Sequence, residues 1–251
     1  PDYGALERDV NERLDTFSID QLFGTSIVDG DGRQIAAVPA SLGATEAEQA
    51  VIRRAKLVMP VGIHHEVEVV AHIEPARQAL LAEHPCLEQD MLDLVEDSPF
   101  LRPGHEAIFA KGLQAGLVGD WITALHLLLP QYESCLRYVL EQYDVVTTRY
   151  TSEGVEEHMG LNEALEHPQL VEILGRDAIL DLSMLLVERK STNFRNRVAH
   201  GLMRADQFDQ SAAIYLWWLS LRLCLAPFID AWIASLASTP ADQGASGNER
   251  G

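Results

Sequence analysis

The residues best suited to chemistry lie close together in residues 191–203, which read STNFRNRVAHGLM. Within this stretch are Arg195, Arg197 and His200. An imidazole can accept and donate a proton near neutral pH, because its ordinary pKa is about 6.5. A guanidinium stays charged, and its planar fork can bind two oxygens of a phosphate group. These residue types therefore predict acid–base chemistry at a phosphate ester.

The same stretch belongs to a locally basic segment of a strongly acidic chain, whose formal net charge is −19. Residues 188–204 hold five of the 19 lysines and arginines and a single acid, Glu188. The five are Arg189, Lys190, Arg195, Arg197 and Arg204. A positive segment in a negative field concentrates anions at one place. The charge argues against nonspecific coating by nucleic acid and favours a local anion site, with Lys190, Arg197 and Arg204 as substrate-binding candidates.

The string RNRVAHG at residues 195–201 resembles the RNxxxHG signature of a bacterial domain family in the HEPN superfamily. The resemblance covers roughly residues 98–225, including SPFLRPGHEAIFAKGL, GDWITALHLLLPQYESCLRYVL and IYLWWLSLRL. Catalytic members of that superfamily are endoribonucleases that need no metal, and their domains pair. The resemblance therefore implies an all-α, HEPN-like helical bundle that cleaves RNA as a homodimer, and its family context suggests a toxin or antiviral-defence effector.

Metal-independent transphosphorylation sets three chemical tasks. A 2′-hydroxyl must lose its proton, the charge developing at phosphorus must be stabilised, and the leaving oxygen must be protonated. We assign proton transfer to His200 and phosphate stabilisation to Arg195, while Asn196 orients the imidazole or binds phosphate. The family pattern favours Arg195 for the phosphate, whereas helix geometry alone would also allow Arg197. No metal and no cofactor are expected.

A site shared between two copies is predicted by the spacing of the motif. Arg195 and His200 are five residues apart, which places them roughly 140° apart around an ideal helix. One chain also supplies one motif histidine, whereas the reaction benefits from both a base and an acid. We therefore expect a homodimer formed through helices near 121–142 and 206–236, which carry the largest apolar surfaces. RNA is the expected partner, and a protein that masks the motif, such as an antitoxin or regulator, is a further alternative.

The motif also has an interpretation that involves no chemistry. Gly201 is suited to end a helix, with arginine and histidine near the last carbonyl groups. The rival function is accordingly a non-catalytic helical module for dimerisation or nucleotide binding within a larger protein. Glu133 and Arg137 form a simple surface ion pair in this view. If their helix packs beside the motif, Glu133 supports the site by orienting Arg195 or His200.

A metal site is a weaker alternative at residues 64–72, HHEVEVVAH, where His64, Glu68 and His72 follow at four-residue steps. The segment lacks an HExxH pattern, so an exposed polar helix face is the better interpretation. The three cysteines form no CxxC pair, which indicates free thiols in a reducing cytoplasm. The apolar residues 212–228 include Arg222, which favours a buried helix over a membrane span.

The elements that must position these residues are mostly helices. Hydrophobic spacing predicts helices at 5–23, 46–59, 63–84, 105–120, 121–142, 169–188 and 206–236, with a break at Pro60 and Asp206 capping the last. Residues 25–38 read as a β-hairpin and 147–160 as a polar loop. The division predicted is an N-terminal helical region at 1–97, a HEPN-like domain at 98–237 and a disordered tail at 238–251. The fold class is all-α with a small N-terminal β-hairpin.

Overall fold

The computed structural model describes residues 3–28, 32 and 34–238, and most of them are helical. A small antiparallel hairpin lies near the N-terminus, formed by β1 (Thr25–Val28) and β2 (Gln34–Val38). The prediction of a mainly α fold with this hairpin is confirmed. The Asp-Gly-Asp part of the hairpin turn, residues 29–31, and residues 239–251 of the predicted tail lie outside the described residues.

The N-terminal helix α1 (Tyr3–Asp15) is shorter than predicted. A 3₁₀ turn follows at Ile19–Leu22, before the hairpin. Helix α2 (Glu46–Glu68) begins at a capping box in which Thr45 and Glu48 bond reciprocally. A π-helical turn at Val69–Ile73 joins it to α3 (Glu74–Glu83).

The predicted break at Pro60 is wrong, because α2 continues through this residue. A proline inside a helix removes one backbone hydrogen bond and costs about 3 kcal/mol. Leu57 and Val61, on either side of Pro60, are buried against residues of α1 and of a later helix. Their burial offsets the cost of the proline and holds the helix continuous.

The centre of the molecule is built by α4 (Glu88–Val95), α5 (Glu106–Leu117) and α6 (Trp121–Glu141). Asp120 begins α6 by accepting a hydrogen bond from the Thr123 N–H at 3.0 Å. The apolar face predicted for α6 is buried: Leu125, Leu128, Leu129, Tyr132, Leu136, Val139 and Leu140. Its opposite side carries the candidate residues Glu133 and Arg137.

Residues 147–160 are not only a loop, because β3 (Thr148–Tyr150) pairs with β4 (Glu156–His158) in a second antiparallel hairpin. The single helix predicted at 169–188 is also wrong. After the short helix α7 (Leu161–Glu166), this stretch is divided into α8 (Pro168–Leu174) and α9 (Arg176–Leu186). Gly175 separates the last two with a φ of +83°, a left-handed value that a helix cannot continue through.

The motif forms α10 (Phe194–Ala199), which is followed by a 3₁₀ turn at Ala205–Gln207 and by α11 (Ser211–Ser238). Asp206 lies in the 3₁₀ turn, so its predicted role as the cap of the last helix is wrong. Within the described residues, no helix is both long and apolar enough to cross a membrane.

Two buried apolar clusters hold the helices together, and each draws residues from both sides of the predicted division at 97/98. The larger cluster joins Val69 and Val95 to residues of α5, α6 and α11. The smaller one joins Tyr3 and Val61 to Met184 of α9. The N-terminal helices therefore support the elements that carry the motif.

Candidate active site

Helix α10 presents the motif as one short, sharply bounded turn of chain. Asn193 precedes it in the left-handed region, with a φ of 47°, and the fully buried Phe194 anchors its start. At the other end, Gly201 has a φ of 63°. The Leu202 N–H bonds to the Arg197 carbonyl at 2.8 Å, and the Gly201 N–H bonds to the Val198 carbonyl at 3.1 Å. These two bonds form a Schellman motif, so Gly201 occupies the helix-ending position.

Arg195 reaches from α10 to α6. Its Nη2 lies 3.4 Å from Glu133 Oε2, and its Nη1 donates to Asn196 Oδ1 at 3.1 Å. The other carboxylate oxygen of Glu133 accepts from Arg137 Nη1 at 2.9 Å. Glu133 therefore lies between two guanidinium groups. The Arg195 side chain is 43% exposed, so it is oriented by Glu133 and still open to a ligand.

Arg137 and Asn196 fix this arrangement from either side. Arg137, which is 16% exposed, also donates to the Met159 carbonyl at 3.0 Å. This hydrogen bond joins α6 to the segment after the second hairpin. Asn196 Nδ2 donates to Asn193 Oδ1 at 2.9 Å. Through these bonds the Asn196 amide braces the start of α10 and the Arg195 guanidinium. It makes no hydrogen bond to the His200 ring, which was one of its two expected partners.

His200 lies at the exposed end of α10, one residue before Gly201. Its backbone N–H bonds to the Asn196 carbonyl at 3.0 Å. The imidazole makes no hydrogen bond or ion pair with any residue that the structure describes. The ring is thus held at a fixed point of the backbone while both of its nitrogens are open to solvent or a ligand.

Arg197 has a different environment from Arg195. It is half-buried, and its Nη2 donates to Gln207 Oε1 at 3.1 Å while its Nη1 lies 3.5 Å from the Thr192 carbonyl. Arg197 therefore joins the loop before α10 to the 3₁₀ turn after it. The sequence left the phosphate role open between the two arginines, and the geometry favours Arg195 for contact with a ligand.

The remaining substrate-binding candidates lie apart from this network. Arg204 is exposed beside the 3₁₀ turn and pairs with Asp206, with 3.3 Å between Nε and Oδ1. Its backbone N–H bonds to the same Gln207 oxygen that accepts from Arg197. Lys190 lies before α10 and lines a separate cleft. The structure thus joins Arg195, Asn196, Glu133 and Arg137 by direct contact, and it leaves His200, Arg204 and Lys190 as separate groups around them.

The apolar face of α6 is buried within the single chain, and the apolar side chains of α11 up to residue 226 are buried or half-buried, as far as the structure describes them. Trp217 of α11 packs across Gly116 of α5, and its Nε1 donates to the Leu113 carbonyl at 2.8 Å. The side of α6 that remains exposed carries Ile122, His126 and Pro130, and it continues toward Glu133. Ile122, His126 and Pro130 define the outward face of α6, which is the part of this helix open to a second copy.

Sequence reasoning missed a buried polar cluster that joins four helices. Asp181 of α9 accepts hydrogen bonds from the hydroxyls of Tyr3 and Tyr215, the latter at 3.0 Å, and its Oδ1 lies 2.6 Å from His65 Nε2. Burial raises the pKa of both tyrosines, so their hydroxyls remain protonated donors. Asp181 and Tyr215 fall within apolar helical patterns, so spacing alone gave no signal for the cluster.

The metal alternative at residues 64–72 is not supported by the geometry. Glu68 and His72 form an exposed pair at 3.2 Å, whereas His64 packs against the rings of Tyr3 and Tyr215. Among the residues that the structure describes, no group of histidine, cysteine, aspartate or glutamate side chains is arranged to hold a metal ion.

Three comparisons place the chain against known proteins. No protein-family model, no curated protein and no solved structure matches it. Assignment of a function therefore depends on the geometry and chemistry of the site.

Proposed function

We propose that this chain is a metal-independent endoribonuclease of HEPN type, with Arg195, Asn196 and His200 as its active-site residues. The observation that supports it best is the contrast between Arg195 and His200 on one short helix. The guanidinium is half-exposed and oriented by Glu133, while the imidazole has no hydrogen bond to the described residues. A cation held in place and an open imidazole are what transphosphorylation needs.

The reaction assigns a defined task to each group. His200 removes the proton of a ribose 2′-hydroxyl, and the 2′-oxygen attacks the neighbouring phosphorus. Arg195 donates hydrogen bonds to the phosphoryl oxygens as their negative charge increases. The bond from phosphorus to the 5′-oxygen breaks, and that oxygen takes a proton. The products are a 2′,3′-cyclic phosphate and a free 5′-hydroxyl.

Two proton transfers in one reaction call for a base and an acid, and one motif supplies one histidine. We propose that a second copy contributes its His200, and that the two copies meet along the outward face of α6. Glu133 lies further along the same helix, and its carboxylate contacts Arg195 of α10. A toxin or antiviral-defence role, with an antitoxin or regulator as partner, fits such an enzyme.

A second candidate function is a non-catalytic module for dimerisation or nucleotide binding. Two observations favour it. Gly201 completes a Schellman motif, and Arg197 joins two loops, so part of the motif has a structural reason to exist. Neither observation explains the open ring of His200 or the exposed edge of Arg195, which is why the nuclease is the better proposal.

The deciding experiment incubates the purified protein with RNA in EDTA and compares it with His200→Ala. We expect cleavage that survives chelation and leaves 2′,3′-cyclic phosphate or 3′-phosphate ends. His200→Ala should lose a factor of roughly 10²–10⁴ in rate, as removal of an acid–base group does. Because the His200 side chain makes no hydrogen bond to the part of the chain that the structure describes, the variant should unfold at the same urea concentration as the parent. Cleavage that needs magnesium and leaves 5′-phosphate ends would refute the mechanism.

A further inference from the structure

A polar cleft of about 730 Å³ lies beside the N-terminal hairpin, away from the motif contacts already described. Residues 35–37 of β2 form one wall, and α2, α7, α9 and the segment after α9 form the others. Its charged lining consists of Arg54, Glu166, Glu188, Arg189 and Lys190. Three cations and two carboxylates therefore face one cavity of the size that small ligands occupy.

The carboxylate of Glu188 is already engaged by the protein. Its Oε2 lies 3.2 Å from Arg54 Nε, and its Oε1 accepts the Lys190 backbone N–H at 3.2 Å. The Glu188 side chain is 13% exposed, so little of its carboxylate is open to solvent or to a ligand. Glu188 therefore holds Arg54 in the wall and shapes the turn that carries Arg189 and Lys190.

Arg189 and Lys190 have no ion pair of their own with any residue the structure describes. The molecule has 38 acidic residues against 19 basic ones, and most of its described cations have an ion pair. Arg102 pairs with Glu141, for example, and Arg176 with Glu7. Two adjacent unpaired cations at a cleft produce a local positive potential that attracts an anion.

We propose that this cleft binds phosphate groups of single-stranded RNA next to the nucleotide that is cut. The inference rests on the proposal that RNA is the substrate. Lys190 and Arg195 are five positions apart along the chain, so their Cα atoms lie within roughly 18 Å of each other. One RNA strand can therefore contact both. The exposed Ile35 offers an apolar surface beside the phosphates for a ribose or base.

The test measures binding of a short single-stranded oligoribonucleotide in which every 2′-hydroxyl is methylated, so that it cannot be cut. Fluorescence anisotropy across a salt series gives the dissociation constant and its salt dependence. The variants are Arg189→Ala, Lys190→Ala and the double variant. Lys111→Ala is the matched control, because Lys111 is an exposed cation of α5 outside the cleft and has no ion pair with a described residue.

We expect each cleft variant to reduce the slope of log affinity against log salt by about 0.7, the value for one lost phosphate contact on a single strand. The double variant should lose about twice as much, and Lys111→Ala should match the parent. Cleft variants that behave like Lys111→Ala would overturn the inference, even if RNA is cut. An effect on the methylated RNA without any cleavage of ordinary RNA would support the cleft and refute the nuclease.

A parallel titration with adenosine triphosphate separates the two sources of phosphate. Binding of the free nucleotide that depends on Arg189 and Lys190, with no binding of the RNA, would overturn RNA as the occupant. Failure of the parent protein to bind either probe would overturn the site as a whole.

Discussion

At the residue scale, the two motif arginines differ in what holds them. Arg195 bonds to Glu133 and Asn196 at the surface, whereas Arg197 bonds to Gln207 and the Thr192 carbonyl inside the turn. A guanidinium that binds a substrate needs N–H donors that are exposed and available to it. One that joins two loops needs its donors occupied. The same residue type therefore has two physical roles within three positions.

This difference predicts opposite outcomes for the two alanine variants. Arg195→Ala removes the donor that the proposed mechanism places on the phosphoryl oxygens in the transition state, so kcat should fall by the equivalent of roughly 2.7–4 kcal/mol while stability changes little. Arg197→Ala leaves part-buried partners without their donor, so the free energy of unfolding should fall by about 1–3 kcal/mol. Single-turnover cleavage and urea unfolding measure the two quantities.

Glu133→Gln provides the control for Arg195, because it keeps the size of the side chain and removes the charge that orients the guanidinium. Its effect on kcat should be smaller than that of Arg195→Ala. If both arginine variants lose activity equally at unchanged stability, the assignment of the phosphate role to Arg195 has no basis.

At the element scale, patterns of burial were predictable and interruptions were not. The buried face of α6 follows from the spacing of its leucines alone, because one face of a long helix must meet the core. The continuity of α2 through Pro60 does not, since it depends on Leu57 and Val61 packing against distant helices. The β3–β4 hairpin was missed because its strands, TRY and EEH, are too short and too polar to show alternation.

The site followed the same rule. The sequence singled out Arg195 and His200 as candidates, and it raised a contact of Glu133 with one of them if the two helices packed together. The structure shows the contact between Glu133 and Arg195. The pairing of Glu133 with Arg137 follows from their four-residue spacing on one helix face. It could not separate Arg195 from Arg197, whose difference lies in the partners that tertiary packing supplies. The position of Gln207 opposite Arg197 depends on the turn between two helices, which spacing does not specify.

The packing of α5 against α11 gives a prediction about whole elements. A Cβ at Gly116 would overlap the indole ring of Trp217, which is 4% exposed and held by its bond to the Leu113 carbonyl. Gly116→Ala should therefore lower the free energy of unfolding by about 1–3 kcal/mol, measured in urea. An alanine that proves neutral would contradict the close approach of the two helices.

Gly62→Ala is the matched control, because Gly62 is an exposed helical glycine of α2 with no atom near its added Cβ. Alanine there should stabilise the protein by roughly 0.5–1 kcal/mol, as it does in helix interiors. The two variants should change the free energy of unfolding in opposite directions, which separates the effect of helix propensity from the effect of packing between helices.

At the scale of the whole molecule, the N-terminal helices are joined to the motif-bearing part by the Asp181 cluster and by shared apolar contacts. Tyr3 of α1, His65 of α2 and Tyr215 of α11 all contact the Asp181 carboxylate. Such a buried carboxylate is costly unless its partners are present. The described residues of the N-terminal helices therefore contribute to the stability of the part that carries α10, although no hydrogen bond or ion pair joins them to Arg195 or Arg197.

The net charge of −19 has consequences for both RNA and a second copy. Salt screens the repulsion between two acidic chains, since the Debye length falls from about 10 Å at 0.1 M to about 3 Å at 1 M. Added salt should therefore favour the dimer. It should also weaken RNA binding, because releasing counterions from the phosphates gains less free energy as the salt concentration rises. The two effects would act in opposite directions on the proposed nuclease, in which two copies share the site.

This opposition predicts how cleavage depends on salt. At enzyme concentrations below the dimer dissociation constant, the rate per chain should rise with salt and then fall. At concentrations where the dimer is complete, the rate should only fall.

Ile122→Glu, on the outward face of α6, should shift the dimer equilibrium toward monomer, while Ile108→Glu on α5, at similar exposure, should not. Light scattering at each salt concentration reports the dimer and the cleavage rate reports the site. A protein that stays monomeric throughout and cuts RNA at a rate per chain independent of dilution would refute the shared site, because one His200 would then serve both proton transfers.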